Sequence, residues 1–346
     1  MISKINYCIS HETDPYRNIA LEKYLTLRTA ENECVLFLWQ NQRTVVIGRN
    51  QNAWEECRVQ ALREDGGRLA RRFSGGGAVY HDLGNVNFSF AARKADEDTA
   101  RQNEVILRAV RMLGVPAERT GRNDFEAGGR KFSGSAFYEM KGCRCHHGTI
   151  MLDVDTSAME KYLSAAPAKL QSKGVSSVRA RVVNLKEYCP DVTVETLNEA
   201  LLGAFQTVYG LPAEALILEG NAEEEIQREA EKLSSEAWLF PPRIPFTAEM
   251  KSRFPWGGFR LCLNVRENRV ENAECWSDAM DEEFVRYVRD AMPGCSYDGD
   301  ALTDAALKAA GKDGEAALDA RLQMANDIAI MIREQLSGED SRRSGL

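Results

Sequence analysis

No stretch of the 346-residue chain is apolar for long enough to cross a bilayer, and Met1-Ile2-Ser3-Lys4-Ile5-Asn6-Tyr7 is too short an apolar run for a secretory signal. Basic residues are in the minority: 44 Lys and Arg against 52 Asp and Glu leave a net charge of −8. That balance argues against nucleic acid as a main partner, although it leaves room for a local basic pocket. Three familiar signatures are missing. There is no G-x-x-x-x-G-K-[ST] run, no G-x-G-x-x-G and no G-x-S-x-G elbow, so the P-loop, the dinucleotide fingerprint and the serine-hydrolase arrangement do not apply. Internal repeats are absent too. Nine cysteines, an odd number without regular spacing, fit a reducing cytosol better than a disulfide framework.

What the chain does hold is Arg71-Arg72-Phe73-Ser74-Gly75-Gly76-Gly77-Ala78-Val79-Tyr80-His81-Asp82-Leu83-Gly84-Asn85. Three consecutive glycines let a ligand approach bare backbone N–H groups, and the arginines ahead of them carry forked donors for phosphate or carboxylate. Val79 and Tyr80 read as strand, Asp82 to Asn85 as a turn, and Val86 to Phe90 as strand again. The pattern predicts a β-meander lining a pocket. An ordinary glycine-rich hairpin is the competing reading, and the arginines with the His81/Asp82/Asn85 cluster weigh against it.

At this length two domains are expected. Asp14-Pro15 opens a helix to about residue 28 with Ile19, Leu21, Leu25 and Leu27 inward, and residues 34–39 and 44–47 read as central strands covered on both faces. Helices are expected at 99–113 and 197–209, and Asn221 with Glu224 reads as an N-cap pair opening another. Pro241-Pro242-Arg243-Ile244-Pro245 is the clearest linker. We therefore expect an α+β protein with a catalytic domain over 1–240, an accessory domain over 241–337 and a disordered tail over 338–346. Cys143-Arg144-Cys145-His146-His147 invites a metal site, but the ligands crowd too closely in sequence to wrap one tetrahedral ion.

The residue types suggest a chemistry. Trp39 and Phe37 offer apolar walls for an acyl chain. Arg72 and a strand lysine, Lys131, offer cations for anions, and Asp124 suits a magnesium ion bridging phosphates. Carboxylate activation by ATP is the economical reaction. The enzyme must hold two mutually repelling anions together, and Lys131, a compact charge, suits a bridge between carboxylate and α-phosphate.

Arg71-Arg72-x-Ser74-Gly75-Gly76-Gly77-Ala78-Val79-Tyr80-His81-Asp82-x-Gly84-Asn85 resembles the signature of the lipoate–protein ligase A family, long form with a C-terminal accessory domain. Gly48-Arg49-x-Gln51-Asn52, Arg130-Lys131-x-Ser133-Gly134-Ser135-Ala136 and His146-His147-Gly148-Thr149 extend the likeness. The resemblance implies a biotin/lipoate-ligase type of sheet and adenylation of lipoate with ATP and Mg²⁺. The lipoyl group would then pass to one lysine of apo lipoyl domains of 2-oxoacid dehydrogenase complexes or of the glycine cleavage H protein, in the cytoplasm, without nucleic acid or membrane. It implies Lys131 as the catalytic residue, and Arg72, Ser74, Gly75, Gly76, Gly77, Ala78, Val79, Tyr80, Asn85, Asp124 and Lys131 around ATP or the adenylate. Trp39, Arg72, His81, Lys131, His147 and Thr149 would line the lipoate site, and Lys173, Gly174, Val175, Ser176, Ser177 and Arg179 a mobile loop over the adenylate. Two rivals stand beside it: an octanoyl transferase with a cysteine nucleophile, which Cys143 or Cys145 would have to supply, and a lipoate-binding homologue without turnover.

Overall fold

The computed structural model describes residues 1–121, 123–164, 181–241, 244–312 and 318–343. Its chain divides into two units. One comprises Met1–Ile47, Ala53–Phe73 and Ala78–Leu239; the other comprises Gly48–Asn52, Ser74–Gly77 and Phe240–Leu346.

The strands of the first unit are β1 (Lys4–Ile9), β2 (Glu33–Trp39), β3 (Thr44–Ile47), β4 (Arg68–Arg71), β5 (Val79–His81), β6 (Asn85–Arg93), β7 (Ala117–Thr120), β8 (Asp124–Ala127), β9 (Arg130–Met140), β10 (Cys143–Met151) and β11 (Ala213–Ala215). Eight of them form a mixed sheet ordered β11-β1-β2-β6-β10-β9-β8-β7, and β4-β3-β5 form a second, small sheet. Every residue of β2 and β3 is buried, as their unbroken apolar runs require. The two strands nonetheless belong to different sheets. The expected meander is corrected likewise: β5 pairs with β3, β6 pairs with β2 and β10, and the Asp82–Gly84 turn carries the chain from one sheet to the other.

Helices cover both faces of the large sheet. Leu36, Leu38, Phe88 and Phe90 share a core with Val105 and Val110 of the Thr99–Met112 helix and with Leu197 and Phe205 of the Val194–Tyr209 helix. On the other face Phe37, Trp39, Tyr138 and Cys145 pack with Ile19 and Leu25 of the Pro15–Arg28 helix and with Ile226 and Leu233 of the Ala222–Ser234 helix. Asp14 caps the first of these helices by accepting from Tyr16 and Arg17 amides, with Pro15 in its first turn. Asn221 makes no side-chain cap, so the expected Asn221–Glu224 signature does not operate.

The second unit is an antiparallel sheet of β12 (Ala248–Phe254), β13 (Gly257–Arg266) and β14 (Arg269–Ser277), packed by helices Glu282–Ala291, Gly299–Ala310 and Leu318–Arg343. The last helix carries the backbone to Arg343, where composition suggested disorder from residue 338. Two short segments from far upstream complete the unit. Ser277 donates its amide to Asn50 O at 2.9 Å, and Gly76 donates its own to Ala279 O at 3.1 Å. A Cβ on Gly75 would stand 2.2 Å from Ala279 O, and Gly76 has φ of 88°. These glycines are required where one stretch of backbone presses on another, and the Gly76 amide is engaged by a carbonyl rather than bare. Among the described residues no helix is long and apolar enough to cross a membrane.

Candidate functional site

Strand register lines up one face of the large sheet. Trp39 pairs with Asn87, Asn87 with Thr149, Thr149 with Gly134, and Gly134 with Asp124, so these five stand in one row across β2, β6, β10, β9 and β8. Four interstrand steps make that row about 19 Å long. A parallel row, two residues along, holds Phe37, Ser89 and His147 on the same face.

Lys131 reaches this face through an irregularity. Along β8 and β9 the register runs Asp124–Gly134 and Phe125–Ser133, then Glu126–Lys131, leaving Phe132 as an extra residue. Strict alternation from Gly134 would send Lys131 to the opposite face; the bulge turns it back. Its Nζ lies 2.7 Å from Asp124 Oδ1, each side chain about two-fifths exposed. A Cβ on Gly134 would come within 2.6 Å of that Nζ, so the glycine leaves the space the lysine occupies.

At the other end of the row, buried polar groups interlock. Trp39 Nε1 donates to Ser89 Oγ at 3.1 Å, Ser89 donates to Glu22 Oε1 at 2.5 Å, and His147 Nδ1 meets the same oxygen at 2.8 Å. The Trp39 ring stacks on Phe37 and stands edge-on to His81 at 6.3 Å. His81 is buried, and burial together with the Arg72 charge and His147 lowers its pKa to about 3, so its imidazole is neutral. Arg72 is buried as well and donates Nη1 to Val46 O at 3.2 Å. The neighbouring guanidinium is used elsewhere. Arg71 donates to Trp238 O and Leu239 O, at the end of the Glu236–Leu239 helix, so only Arg72 of the pair joins the site.

The remaining expected residues fall as follows. Tyr80 is buried against Tyr162, and Val79 pairs with Val46 on the small sheet beside Ala78. Asn85 donates Nδ2 to Asn87 Oδ1 at 3.0 Å. Ser74, Gly75, Gly76 and Gly77 belong to the second unit. Lys173 to Arg179, the expected mobile loop, lies outside the described residues.

The Cys-x-Cys-His-His cluster does not converge. Strand alternation sends His146 to the opposite face, between Phe88, Phe90 and Phe137 with Nδ1 on Gln102 Oε1, where burial takes its pKa to about 3. Cys145 and His147 instead meet Glu22, all three donor atoms lying within 4.8 Å of one another. Burial pushes the Cys145 thiol well above its ordinary pKa, with the Glu22 charge adding to it.

Glu22, Ser89 and Asn41 escaped the sequence reading. The signals were there. Asn18, Glu22 and Thr26 recur every four residues inside a buried helical stripe, and Asn85, Asn87 and Ser89 every two along a buried strand.

Residues 14–206, more than half of the chain, match the lipoyl protein ligase A/B catalytic domain. The chain belongs to that family. Residues 243–316 match the bacterial lipoate protein ligase C-terminus. Among solved lipoyl ligase relatives, the chain is similar to LipL1 of P. falciparum in complex with lipoate, at 28% identity and a TM-score of 0.80 over 94% of this chain and 99% of that one. It is also similar to a bipartite lipoate protein ligase of Thermoplasma acidophilum studied with its E2 lipoyl domain, at 25% identity and 0.62 over 71% and 99%. A lipoate-protein ligase A bound with ATP matches at 25% identity and 0.60, over 69% and 98%. The mixed α+β architecture with its large sheet is that of the lipoate ligases.

Proposed function

We propose that this protein adenylates lipoate with ATP and transfers the lipoyl group to a lysine of an acceptor lipoyl domain, acting in the cytoplasm. The observation that carries the reading is the bulge in β9, which turns the Lys131 ammonium onto the face that also holds Trp39, Phe37, His147 and Thr149. A row of about 19 Å, apolar at one end and cationic at the other, suits an extended acyl chain with its carboxylate toward Lys131. Before substrate arrives Lys131 rests on Asp124; with substrate bound it moves to the carboxylate and the α-phosphate, offsetting their repulsion as the new P–O bond forms and pyrophosphate leaves. The lipoate-bound and ATP-bound relatives support this pair of substrates. Ser74 to Gly77, Ala78, Val79, Tyr80 and Asn85 enter as nucleotide contacts on the family resemblance.

Asp124 fits a magnesium ion, which keeps most of its water and takes one or two carboxylates with phosphate oxygens: its carboxylate is part-exposed and beside the anion-binding lysine. Such an ion neutralises phosphate charge. The acceptor class follows from the archaeal relative studied with its E2 lipoyl domain, and the glycine cleavage H protein is included as a substrate of the same kind. A cysteine-based octanoyl transferase is disfavoured because Cys143 and Cys145 are 1% and 0% exposed, with the Cys145 thiol held protonated.

Lipoate-dependent ATP–pyrophosphate exchange tests the reading. Wild type is expected to catalyse it and Lys131→Ala to lose it. Octanoyl transfer blocked by a thiol alkylator, with no exchange, would assign the transferase instead; lipoate binding with neither activity would assign a sensor.

A further inference from the structure

The bulge that turns Lys131 is held by a segment from outside the sheet. Strand β10 accompanies β9 only as far as Ser133, which pairs with Ile150. Beyond that point the chain peels away, and the Leu152 and Asp153 amides both donate to Gly84 O at 2.9 Å. Lys131 would be left with a carbonyl and no ladder partner, at the place where an extra residue has already loosened the pairing. A later segment of the chain fills the gap. Val182 bridges Lys131 in parallel sense, and the Val183 amide donates to Lys131 O at 2.9 Å. Val183 is buried and shares a core with Phe132, the extra residue of the bulge, and with Leu185 and Val192.

Val183 has to be tied down in its turn, and two side chains do so. Arg130 pairs with Glu187 at 2.7 Å, but the two are 38% and 49% exposed, where solvent screening leaves an ion pair little force. Asn184 grips more firmly. Its Oδ1 accepts from the Val154 amide and its Nδ2 donates to the Val154 carbonyl, each at 3.0 Å and part-buried. A backbone residue offers one donor and one acceptor, and a side-chain amide meets both at once. Asn184 therefore pairs with the segment leaving β10 much as a strand would. The Lys186 amide, donating to Leu152 O at 3.1 Å, adds a bond along the same line.

We propose that Asn184 is a positioning residue for acyl activation: it holds Val183 on the Lys131 carbonyl, and so keeps the bulge that points the Lys131 ammonium at the reacting carboxylate and phosphate. The proposal deepens the ligase reading and rests on it for the identity of those anions. Lysine carries its charge on a long, flexible stem, which lets the ammonium travel from Asp124 to the substrate. The stem's root must then stand still for its far end to arrive in place, and a misplacement of about 1 Å costs on the order of 10²-fold.

Asn184→Asp tests this at constant size: it still accepts from the Val154 amide but turns a second oxygen toward the Val154 carbonyl. Asn184→Leu removes both bonds. Deuterium uptake by the full chain reads the clamp itself. In either variant the Val183 amide is expected to take up deuterium at least about tenfold faster than in wild type, while the Thr99–Met112 helix keeps its protection. In lipoate-dependent pyrophosphate exchange both variants are expected to lose about 10²-fold in kcat, with KM for ATP within about two-fold of wild type.

A double-mutant cycle separates positioning from plain destabilisation. Its readout is calorimetric binding of the lipoyl sulfamate of adenosine, a stable mimic of the acyl-adenylate. Asn184→Asp is expected to weaken binding about tenfold when Lys131 is present and by less than about two-fold in the Lys131→Ala background, because Asn184 acts through Lys131. Equal losses in both backgrounds, unchanged deuterium uptake at Val183, or a folded variant with kcat within about two-fold of wild type would overturn the proposal. If wild type shows no lipoate-dependent pyrophosphate exchange, the ligase reading fails separately; uptake at Val183 and the binding cycle still decide whether Asn184 positions Lys131.

Discussion

Gly134→Ala separates the placement of Lys131 from its charge. Gly134 sits within regular strand β9, and its φ is not in the left-handed region, so alanine adopts the backbone without strain. The added Cβ would lie 2.6 Å from Lys131 Nζ and 2.8 Å from its Cε, while Asp124 Oδ1 remains 3.7 Å away. Only the flexible end of one side chain has to give way, by about 1 Å to reach an ordinary contact. The fold therefore tolerates the change, with stability expected within about 0.5 kcal/mol of wild type. Catalysis is expected not to tolerate it: the methyl takes the place beside Asp124 from which Lys131 moves to the reacting anions, and misplacing such a group by about 1 Å costs on the order of 10²-fold. The measurement pairs thermal unfolding with lipoate-dependent pyrophosphate exchange in wild type, Gly134→Ala and Lys131→Ala. Exchange within two-fold of wild type in Gly134→Ala would refute the assignment of Lys131 to a precise bridging position. A large loss of stability would refute the account of how β9 is packed.

Acid is expected to destabilise the N-terminal unit in a defined window. His81 and His146 have folded-state pKa values of about 3 against an unfolded value near 6.5, so each contributes fully above pH 6.5 and its contribution falls as pH drops toward 3. The loss is about 2 kcal/mol per histidine at pH 5, and urea midpoints at pH 7.5 and 5 check it; midpoints independent of pH would refute it. Ser89→Ala removes the hydroxyl that serves both Trp39 and Glu22, with an expected cost of about 2 kcal/mol and a raised KM for lipoate at unchanged KM for ATP. Gly75→Ala drives a Cβ into the Ala279 carbonyl, backbone against backbone, and should destabilise the C-terminal unit by about 2 kcal/mol or more, read as faster limited proteolysis after residue 240.

Much of this molecule can be read from local pattern. The unbroken apolar run of β2 and the Asp14-Pro15 start of the first helix gave their elements because burial and capping act over a few residues. Trp39, His147, Thr149, Asp124 and Lys131 carried recognisable motifs, and the register brings four of them onto one face. Lys131 could not be placed that way. Its direction depends on one extra residue, Phe132, and nothing in the composition of β9 announces a bulge. Glu22 was half-legible: its place in the Asn18, Glu22, Thr26 stripe marks a carboxylate that is not simply solvated, but only the partner strands show that Ser89 and His147 await it. The glycine run was legible as a demand for close approach, but what approaches Gly75 is the chain itself, at Ala279, more than two hundred residues later.

That distance has a consequence for biosynthesis. Gly48–Asn52 and Ser74–Gly77 leave the ribosome long before β14 and the loop after it, to which Asn50 and Gly76 are hydrogen-bonded. The C-terminal unit thus closes only after β14 and the loop after it have been made, and its early pieces must wait unassembled while some two hundred residues are added. A clone ending at residue 240 omits more than a terminal domain: it removes the backbone partners that Asn50 and Gly76 meet at Ser277 and Ala279. Co-expressing 241–346 as a separate polypeptide would reconstitute the unit only if those two segments are reachable on the other fragment, which makes fragment complementation a direct assay of nascent-chain assembly in this family.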